Sequence, residues 1–188
     1  MQVTEALNNR RSFRSLDPVE ITEEAVRELA SAASLAPSCF NRQPWRFVFV
    51  RSREGLDAVF ASLSRGNDWF RSASMVVAVF SEAPLDCIVG RREYYLFDTG
   101  MAVGMMLLRA TELGLVAHPI AGFDEEKARE ALGLGPDSLL VTIIAVGRKS
   151  PGISPALSPH QVEAERERPP RMPFEDFSWL EKVSVPEA

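Results

Sequence analysis

At 188 residues the chain is most simply one domain, long enough to bury a sizeable core. Its 46% hydrophobic and 25% charged residues are those of a soluble globular protein. The formal net charge of −5 argues against nucleic acid or an anionic membrane as the main partner, and leaves an arginine cluster free to take a small anion. The two cysteines, Cys39 and Cys87, lack metal-site spacing, and one possible pair is no disulfide framework. A reducing cytoplasm is the expected location, because the N-terminus shows no apolar signal-peptide core. The longest apolar stretch, Thr99 to Leu108, is too short to span a bilayer.

In chain order, Thr4 to Asn9 reads as a short helix with Thr4 as its cap, followed by the basic run Arg10-Arg11-Ser12-Phe13-Arg14. Thr22 can cap a second helix whose first turn holds Glu23 and Glu24. Its apolar stripe is Ala25, Val26, Leu29, Ala32, Ala33 and Ala36, and Pro37 stops it. The loop from Pro37 to Trp45 carries Ser38, Asn41 and Gln43, and Arg46 to Val50 reads as a strand. Glu54 to Ser64 reads as a helix, Gly66 to Phe70 as a loop with an aromatic pair, and Met75 to Phe80 as a strand.

A long helix is expected over Arg91 to Leu113, buried on more than one face because Thr99 to Leu108 is apolar almost all round. Gly100 and Gly104 lie one turn apart, where small residues let a second helix approach, so burial against a second copy of the chain is plausible beside an ordinary core helix. Gly114 suits the end of that helix. Val116 to Phe123 is extended and turns at Gly122. Asp124 can cap a helix from Glu125 to Leu132, and Leu139 to Val146 is a buried strand. From about residue 150 the chain is proline-rich, with a charged run from Glu163 to Arg168, and reads as an extension of the domain. Helices intermixed with three or four strands point to an α+β domain with helices around one sheet.

Four places could carry chemistry. Arginine guanidinium groups suit phosphate because they donate parallel, charge-assisted hydrogen bonds, and Ser12 adds a hydroxyl donor to the basic run; a solvated basic turn is the plainer reading. The Asn41 and Gln43 amides each offer donors and an acceptor, which fits a planar heterocycle edge, although the loop alone also reads as a polar turn bonding its own backbone. The Pro119-Ile120-Ala121-Gly122 turn can expose backbone N–H groups at close approach, or simply lead into the next helix. In the extension, Arg166, Arg168 and Arg171 can close over a phosphate or pair with Glu163, Glu165 and Glu167. No Gly-x-Ser-x-Gly elbow, phosphate-binding Gly-x-x-x-x-Gly-Lys loop or Gly-x-Gly-x-x-Gly fingerprint occurs. With His118 and His160 alone, neither in ligand spacing, a zinc site is not expected, and His118 beside Pro119 reads as structural.

Taken together in order, Arg-Arg-Ser-x-Arg, Pro-Ser-x-x-Asn-x-Gln-Pro-Trp at 37–45, Asp98-x-Gly100 opening a buried helix, and Pro-Ile-x-Gly-Phe resemble the FMN-dependent nitroreductase family over essentially the whole chain. The resemblance implies a nitroreductase-like α+β fold with a central mixed or antiparallel sheet. It implies a cytoplasmic homodimer with FMN at the subunit interface. Arg10, Arg11, Ser12 and Arg14 would hold the phosphate and ribityl–ring region, with Arg171 and nearby Arg168 adding phosphate contacts. Pro37, Ser38, Cys39, Asn41 and Gln43 would contact the flavin, partly from the other subunit, and Ala121 and Gly122 would aim backbone N–H groups at the ring.

NADH or NADPH would deliver a hydride to the flavin, and a nitroaromatic, quinone or related small-molecule acceptor would take the electrons by a ping-pong route without a dedicated side-chain acid. Reductive dehalogenation, flavin fragmentation and FMN binding without turnover are the alternatives. The chain departs from the family at Ala121, often acidic; at Pro169, often lysine; at Cys39, commonly serine; and after Phe70, where Arg71 stands in a region that often offers an asparagine. The short 81–93 stretch would form part of the substrate wall.

Overall fold

A computed structural model describes residues 1–183. The helices are α1 (Val3–Asn9), α2 (Glu23–Ser34), α3 (Arg53–Phe60), α4 (Tyr95–Glu112), α5 (Glu125–Leu132) and α6 (Pro159–Arg166). The strands are β1 (Leu16–Asp17), β2 (Arg46–Val50), β3 (Met75–Ser81), β4 (Ile88–Val89), β5 (Arg92–Glu93), β6 (Val116–Ile120) and β7 (Leu139–Lys149).

The principal sheet runs β1-β7-β3-β2, with β6 also on β7, and every pairing is antiparallel. β3 and β7 have near-continuous apolar sequences because both of their faces are covered. Alternate side chains along a strand point to opposite faces, so one strand feeds two cores. Met75, Val77 and Val79 of β3 join Ile144 and Val146 of β7 against Leu29 and Ala33 of α2 and Ala102, Met106 and Ala110 of α4. Val76 and Ala78 join Ile143 and Ala145 on the other face, against Leu56 and Val59 of α3, Trp69, Phe70 and Ala128 of α5. Helices therefore cover both faces of one antiparallel sheet, the α+β arrangement expected from the pattern.

Local chemistry sets most of the boundaries. The Thr22 hydroxyl accepts from the Ala25 N–H at 3.1 Å, and the Asp124 carboxylate accepts from the Lys127 N–H at 3.2 Å, so both expected caps form. Gly114 sits at φ 72 just beyond α4, the left-handed conformation that ends helices. Several boundaries differ from the expectation, β7 for instance running on to Lys149, three residues past Val146. α1 begins one residue early, with Gln2 in the cap position and no side-chain cap bond, so Thr4 lies inside it. α3 ends at Phe60, and residues 62–64 instead bond toward the turn at 122–124. α4 begins at Tyr95, because Arg92 and Glu93 pair with Ile88 and Val89 in a small hairpin.

α4 buries one face against the sheet, through Ala102, Met106 and Ala110. Its other face leaves Gly100, Gly104, Met105, Leu96 and Phe97 exposed on the single chain, and nothing lies within 4 Å of where a Cβ on either glycine would sit. Burial on more than one face is thus not met within one chain. Among the described residues no helix is long and apolar enough to cross a membrane.

Candidate active site

The segment after α1 is built around two buried groups from elsewhere in the chain. Glu165 of α6 accepts from the Arg14 N–H at 2.6 Å and the Ser15 N–H at 3.3 Å. Its carboxylate is thereby spent on backbone and pairs with none of the tail arginines. His118 of β6 lies against Trp69, ring centroids 4.7 Å apart, with Nδ1 3.1 Å from the Phe13 carbonyl oxygen. A neutral ring donating from Nδ1 satisfies that carbonyl. Burial pushes the His118 pKa down to about 4, outweighing the Phe13 contact, so the ring is uncharged at neutral pH. His118 is a structural prop, as its place beside Pro119 suggested.

On this frame the arginines divide. Arg11 donates to the carbonyls of Ala164 and Glu165, at 2.7 and 3.1 Å, and lies 4.5 Å over the Phe13 ring. It satisfies carbonyls near the C-terminal end of α6, where a cation is favoured. Arg168 donates to the Asn8 and Arg10 carbonyls, and Arg171 donates to the Pro169 carbonyl. The Arg10 guanidinium reaches the Ser12 hydroxyl at 3.3 Å.

Arg10, Arg11, Ser12, Arg14, Arg168 and Arg171, with His160, Gln161 and Ala164, line a cavity of about 300 Å³. No carboxylate is among its lining residues, and among the described residues no ion pair involves any of these arginines. Burial, then the charges of Arg168 and Arg171, lower the Arg10 pKa. A pocket of cations whose mutual repulsion has no internal counter-charge is an anion site in physical terms. The local pairing with Glu163, Glu165 and Glu167 that the sequence allowed does not form.

The Ala121–Gly122 turn is linked to this cavity indirectly, through the Ser64–Gly66 segment. Gln161 donates to the Gly66 carbonyl at 3.0 Å, and Ser64 N–H donates to the Gly122 carbonyl at 2.9 Å. Gly122 packs against the loop that follows α3: a Cβ there would stand 3.4 Å from the Ser64 side chain and 3.7 Å from Asn67 Nδ2, in ordinary contact. Among the described residues no acceptor takes the N–H of Ala121 or Gly122. Asn67 is the residue that sequence reasoning missed. Arg71 stacks over the Phe60 ring at 3.8 Å, whereas the Asn67 amide donates to the Ser64 carbonyl at 3.0 Å and lies 3.7 Å from the Cβ position of Gly122. The signal that could have found it was Gly66-Asn67 at the start of the loop, a pair suited to a fixed turn.

The 37–45 loop occupies a different place. Pro37 lines an apolar groove with Leu7, Arg10, Met101, Gly104 and Met105, so it meets the arginine segment there. Beyond it the loop leads away. Cys39 N–H donates to the buried Asp98 carboxylate of α4 at 2.6 Å, and Gln43 N–H donates to the Ser38 hydroxyl at 3.0 Å. Phe40, Asn41 and Gln43 adopt φ of 48, 56 and 51, the left-handed region that costs a side-chain-bearing residue roughly 1–2 kcal/mol. Asn41 and Gln43 are exposed, and Phe40 is 89% exposed.

No hydrogen bond joins Ser38–Gln43 to Ala121–Gly122 among the described residues. The structure therefore brings together Arg10, Arg11, Ser12, Arg14, Arg168 and Arg171 in one cavity, ties to it through Gln161 the Ser64–Gly66 segment that bonds Gly122, and leaves Ser38, Cys39, Asn41 and Gln43 apart. One expectation about the cysteines is corrected: Cys39 and Cys87 form a disulfide, with Cα atoms 6.1 Å apart. Their separation of 48 residues hid a pairing that only the tertiary fold creates.

Residues 7–148 match the model of the nitroreductase family. The chain belongs to the nitroreductase family. It is 28% identical over 181 residues to YdgI of Bacillus subtilis (strain 168), covering 77% of this chain and 87% of that protein. It is 26% identical over 179 residues to the oxygen-insensitive NADPH nitroreductase of Helicobacter acinonychis (strain Sheeba), covering 76% of this chain and 85% of the relative. A crystal structure of an oxidoreductase containing FMN superposes with a TM-score of 0.81 at 26% identity, over 98% of this chain and 94% of the other. The family resemblance and the α+β nitroreductase fold read from the ordered motifs are both borne out.

Proposed function

We infer that the protein is an FMN-binding oxidoreductase that takes electrons from NADH or NADPH and passes them to a nitroaromatic, quinone or related small acceptor. The observation that carries this reading is the arginine cavity: a pocket of cations without an internal anion, linked through Gln161 and the Ser64–Gly66 segment to a turn with two free backbone N–H groups. A phosphate ester attached to a flat heterocycle suits both parts. FMN, when bound, supplies the hydride chemistry.

The chain's own residues then have separate tasks. Arg10, Arg14 and Arg171, with the Ser12 hydroxyl, would hold the phosphate, Arg168 would add charge, and Arg11 would keep α6 in place beneath them. The Ala121 and Gly122 N–H groups and the Asn67 amide would bond the polar edge of the ring, stabilising negative charge there in the manner of an oxyanion hole. Ala121 offers no carboxylate, so orientation falls to backbone. The exposed Ser38–Gln43 loop, with Pro37 and Cys39, would complete the site of a second copy across the exposed face of α4, giving a homodimer with sites built from both chains. The expected route is ping-pong, the nucleotide leaving before the acceptor enters.

Purified protein reconstituted with FMN should oxidise NADH or NADPH anaerobically when a nitroaromatic or quinone is present, with parallel-line initial-rate kinetics. Tight FMN binding without reduction by either nucleotide would leave a binding protein in place of an enzyme. Analysis of the turnover products separates acceptor reduction from dehalogenation or flavin fragmentation.

A further inference from the structure

The Cys39–Cys87 bond joins two segments of unlike character. Cys39 is half-buried on the exposed, left-handed loop, whereas Cys87 is buried at the entrance to the small β4–β5 hairpin. Asp86 lies beside it. One Asp86 oxygen accepts from the Cys87 N–H at 2.7 Å, and the other is buried with no hydrogen-bond partner in the described residues. Both sulfurs and an Asp86 carboxylate oxygen lie within 4.8 Å of one another. Asp98, which accepts from Cys39 N–H, is the other acid of the cluster, and Arg42 donates to the Asp86 carbonyl at 3.4 Å.

A bridge inside a core would need none of this. A buried carboxyl with an unpartnered oxygen next to a disulfide is a costly arrangement unless the group is protonated. Burial is the largest influence and raises the Asp86 pKa; the Cys87 N–H opposes it, and neighbouring Asp98 adds to the rise. A carboxyl this close to the two sulfurs can, whenever it carries its proton, donate it to a departing thiolate.

We propose that Cys39 and Cys87 are a site of reversible thiol–disulfide exchange with small or protein dithiols, and that the oxidised pair latches the Ser38–Gln43 loop. Cys39 is the more exposed residue of the pair, so the reductant's thiolate attacks its sulfur. The Cys39–Cys87 bond breaks, its electron pair passes to Cys87 Sγ, and Asp86 gives that sulfur its proton. The reductant's second thiolate then attacks the mixed disulfide and leaves as an intramolecular disulfide. Cys39 departs as a thiolate and takes a proton from water, and Asp86 is reprotonated from solvent. Two electrons and two protons pass from the dithiol to the pair.

The loop responds because it is strained and lightly held. Phe40, Asn41 and Gln43 are left-handed, and without the bridge the segment keeps the Cys39–Asp98 and Ser38–Gln43 bonds as its main anchors. The same segment carries Asn41 and Gln43, so the redox state of the pair sets how well one wall of the site is ordered.

The test uses the full chain under native conditions. The protein is oxidised mildly, equilibrated in graded dithiothreitol buffers, alkylated and weighed, and amide hydrogen exchange is followed in both states. Both cysteines should become labelled together while circular dichroism stays native. Exchange at residues 40–43 should rise roughly tenfold on reduction, with β3 and β7 unchanged. Cys87→Ser should show the reduced exchange pattern without any reductant.

Asp86→Asn should slow reduction about tenfold or more, without altering the exchange pattern of the oxidised state. A pair that never oxidises, or that resists millimolar dithiothreitol in the folded protein, would overturn the proposal, as would identical loop exchange in the two states. Reduction of Asp86→Asn at the wild-type rate would remove Asp86 from it. These readouts are thiol mass and amide exchange, so their failure leaves the arginine-cavity reading standing.

Discussion

The arginine cavity and the 37–45 loop are the two polar regions named by the sequence, and they are built in opposite ways. The cavity's backbone is held from behind by Glu165, His118 and Arg11, so its remaining cations are already in position within one chain. The loop is exposed, carries three left-handed residues with side chains, and is fastened chiefly at Cys39 and Ser38. A preformed charge pocket can select a phosphate on its own. A strained loop that presents the Asn41 and Gln43 side chains to solvent has room to be completed by something outside the chain. The proposed dimer follows from this contrast, because the exposed glycine face of α4 lies next to the same groove as Pro37.

Substitutions behind the cavity should be severe, and those in the loop mild for stability. The largest effect is expected for Glu165→Ala, which strands the Arg14 and Ser15 N–H groups. At about 1–3 kcal/mol for each orphaned donor, the loss of stability should be roughly 4 kcal/mol, measured by urea unfolding. An unchanged midpoint would mean that the segment supports itself.

His118 comes next. Its folded pKa of about 4 lies below the unfolded value of 6.5, so the unfolded chain binds the proton first as pH falls. Stability should therefore be full above pH 6.5 and decline between there and about 4. The loss should approach about 3 kcal/mol at 1.36 kcal/mol per pH unit. Unfolding midpoints across that window, compared with His118→Gln, isolate the ring; a variant with the same slope would contradict the burial argument.

Arg10→Ala should weaken FMN binding by roughly 2 kcal/mol, the value of one charge-assisted contact, with stability unchanged or slightly raised because a repelled cation is removed. Calorimetric titration and thermal melts read the two quantities separately. The smallest effect is reserved for Gln43→Gly. Glycine tolerates the left-handed backbone, so unfolding stability should hold or rise by up to about 1 kcal/mol. A marked loss would show that the loop is as firmly built as the cavity.

These contrasts also explain what the sequence could say. Caps and strands were legible because their causes are local: Thr22 and Asp124 each bond an N–H three residues on, and Arg46–Val50 matches its expected span. α6 was legible in principle through Ser158 and Gln161, which form a capping box, but the charged run from Glu163 obscured it. Glu165 looked like a surface partner for arginine; only the fold shows it buried under the backbone of Arg14. Asn67 and Arg71 could not be ranked from sequence, because only the tertiary fold sets Asn67 near Gly122 and turns Arg71 onto the Phe60 ring. The disulfide, spanning two loops that meet only at the start of α4, had no local signature.

The central claim is that the arginine cavity is a phosphate site for a flavin. Titrating the purified protein with FMN and with riboflavin, which differ by that phosphate alone, tests it most directly. The cavity predicts FMN binding at least roughly a hundredfold tighter than riboflavin, as the sum of two or more charge-assisted contacts requires. Equal affinities, or binding of neither, would contradict it.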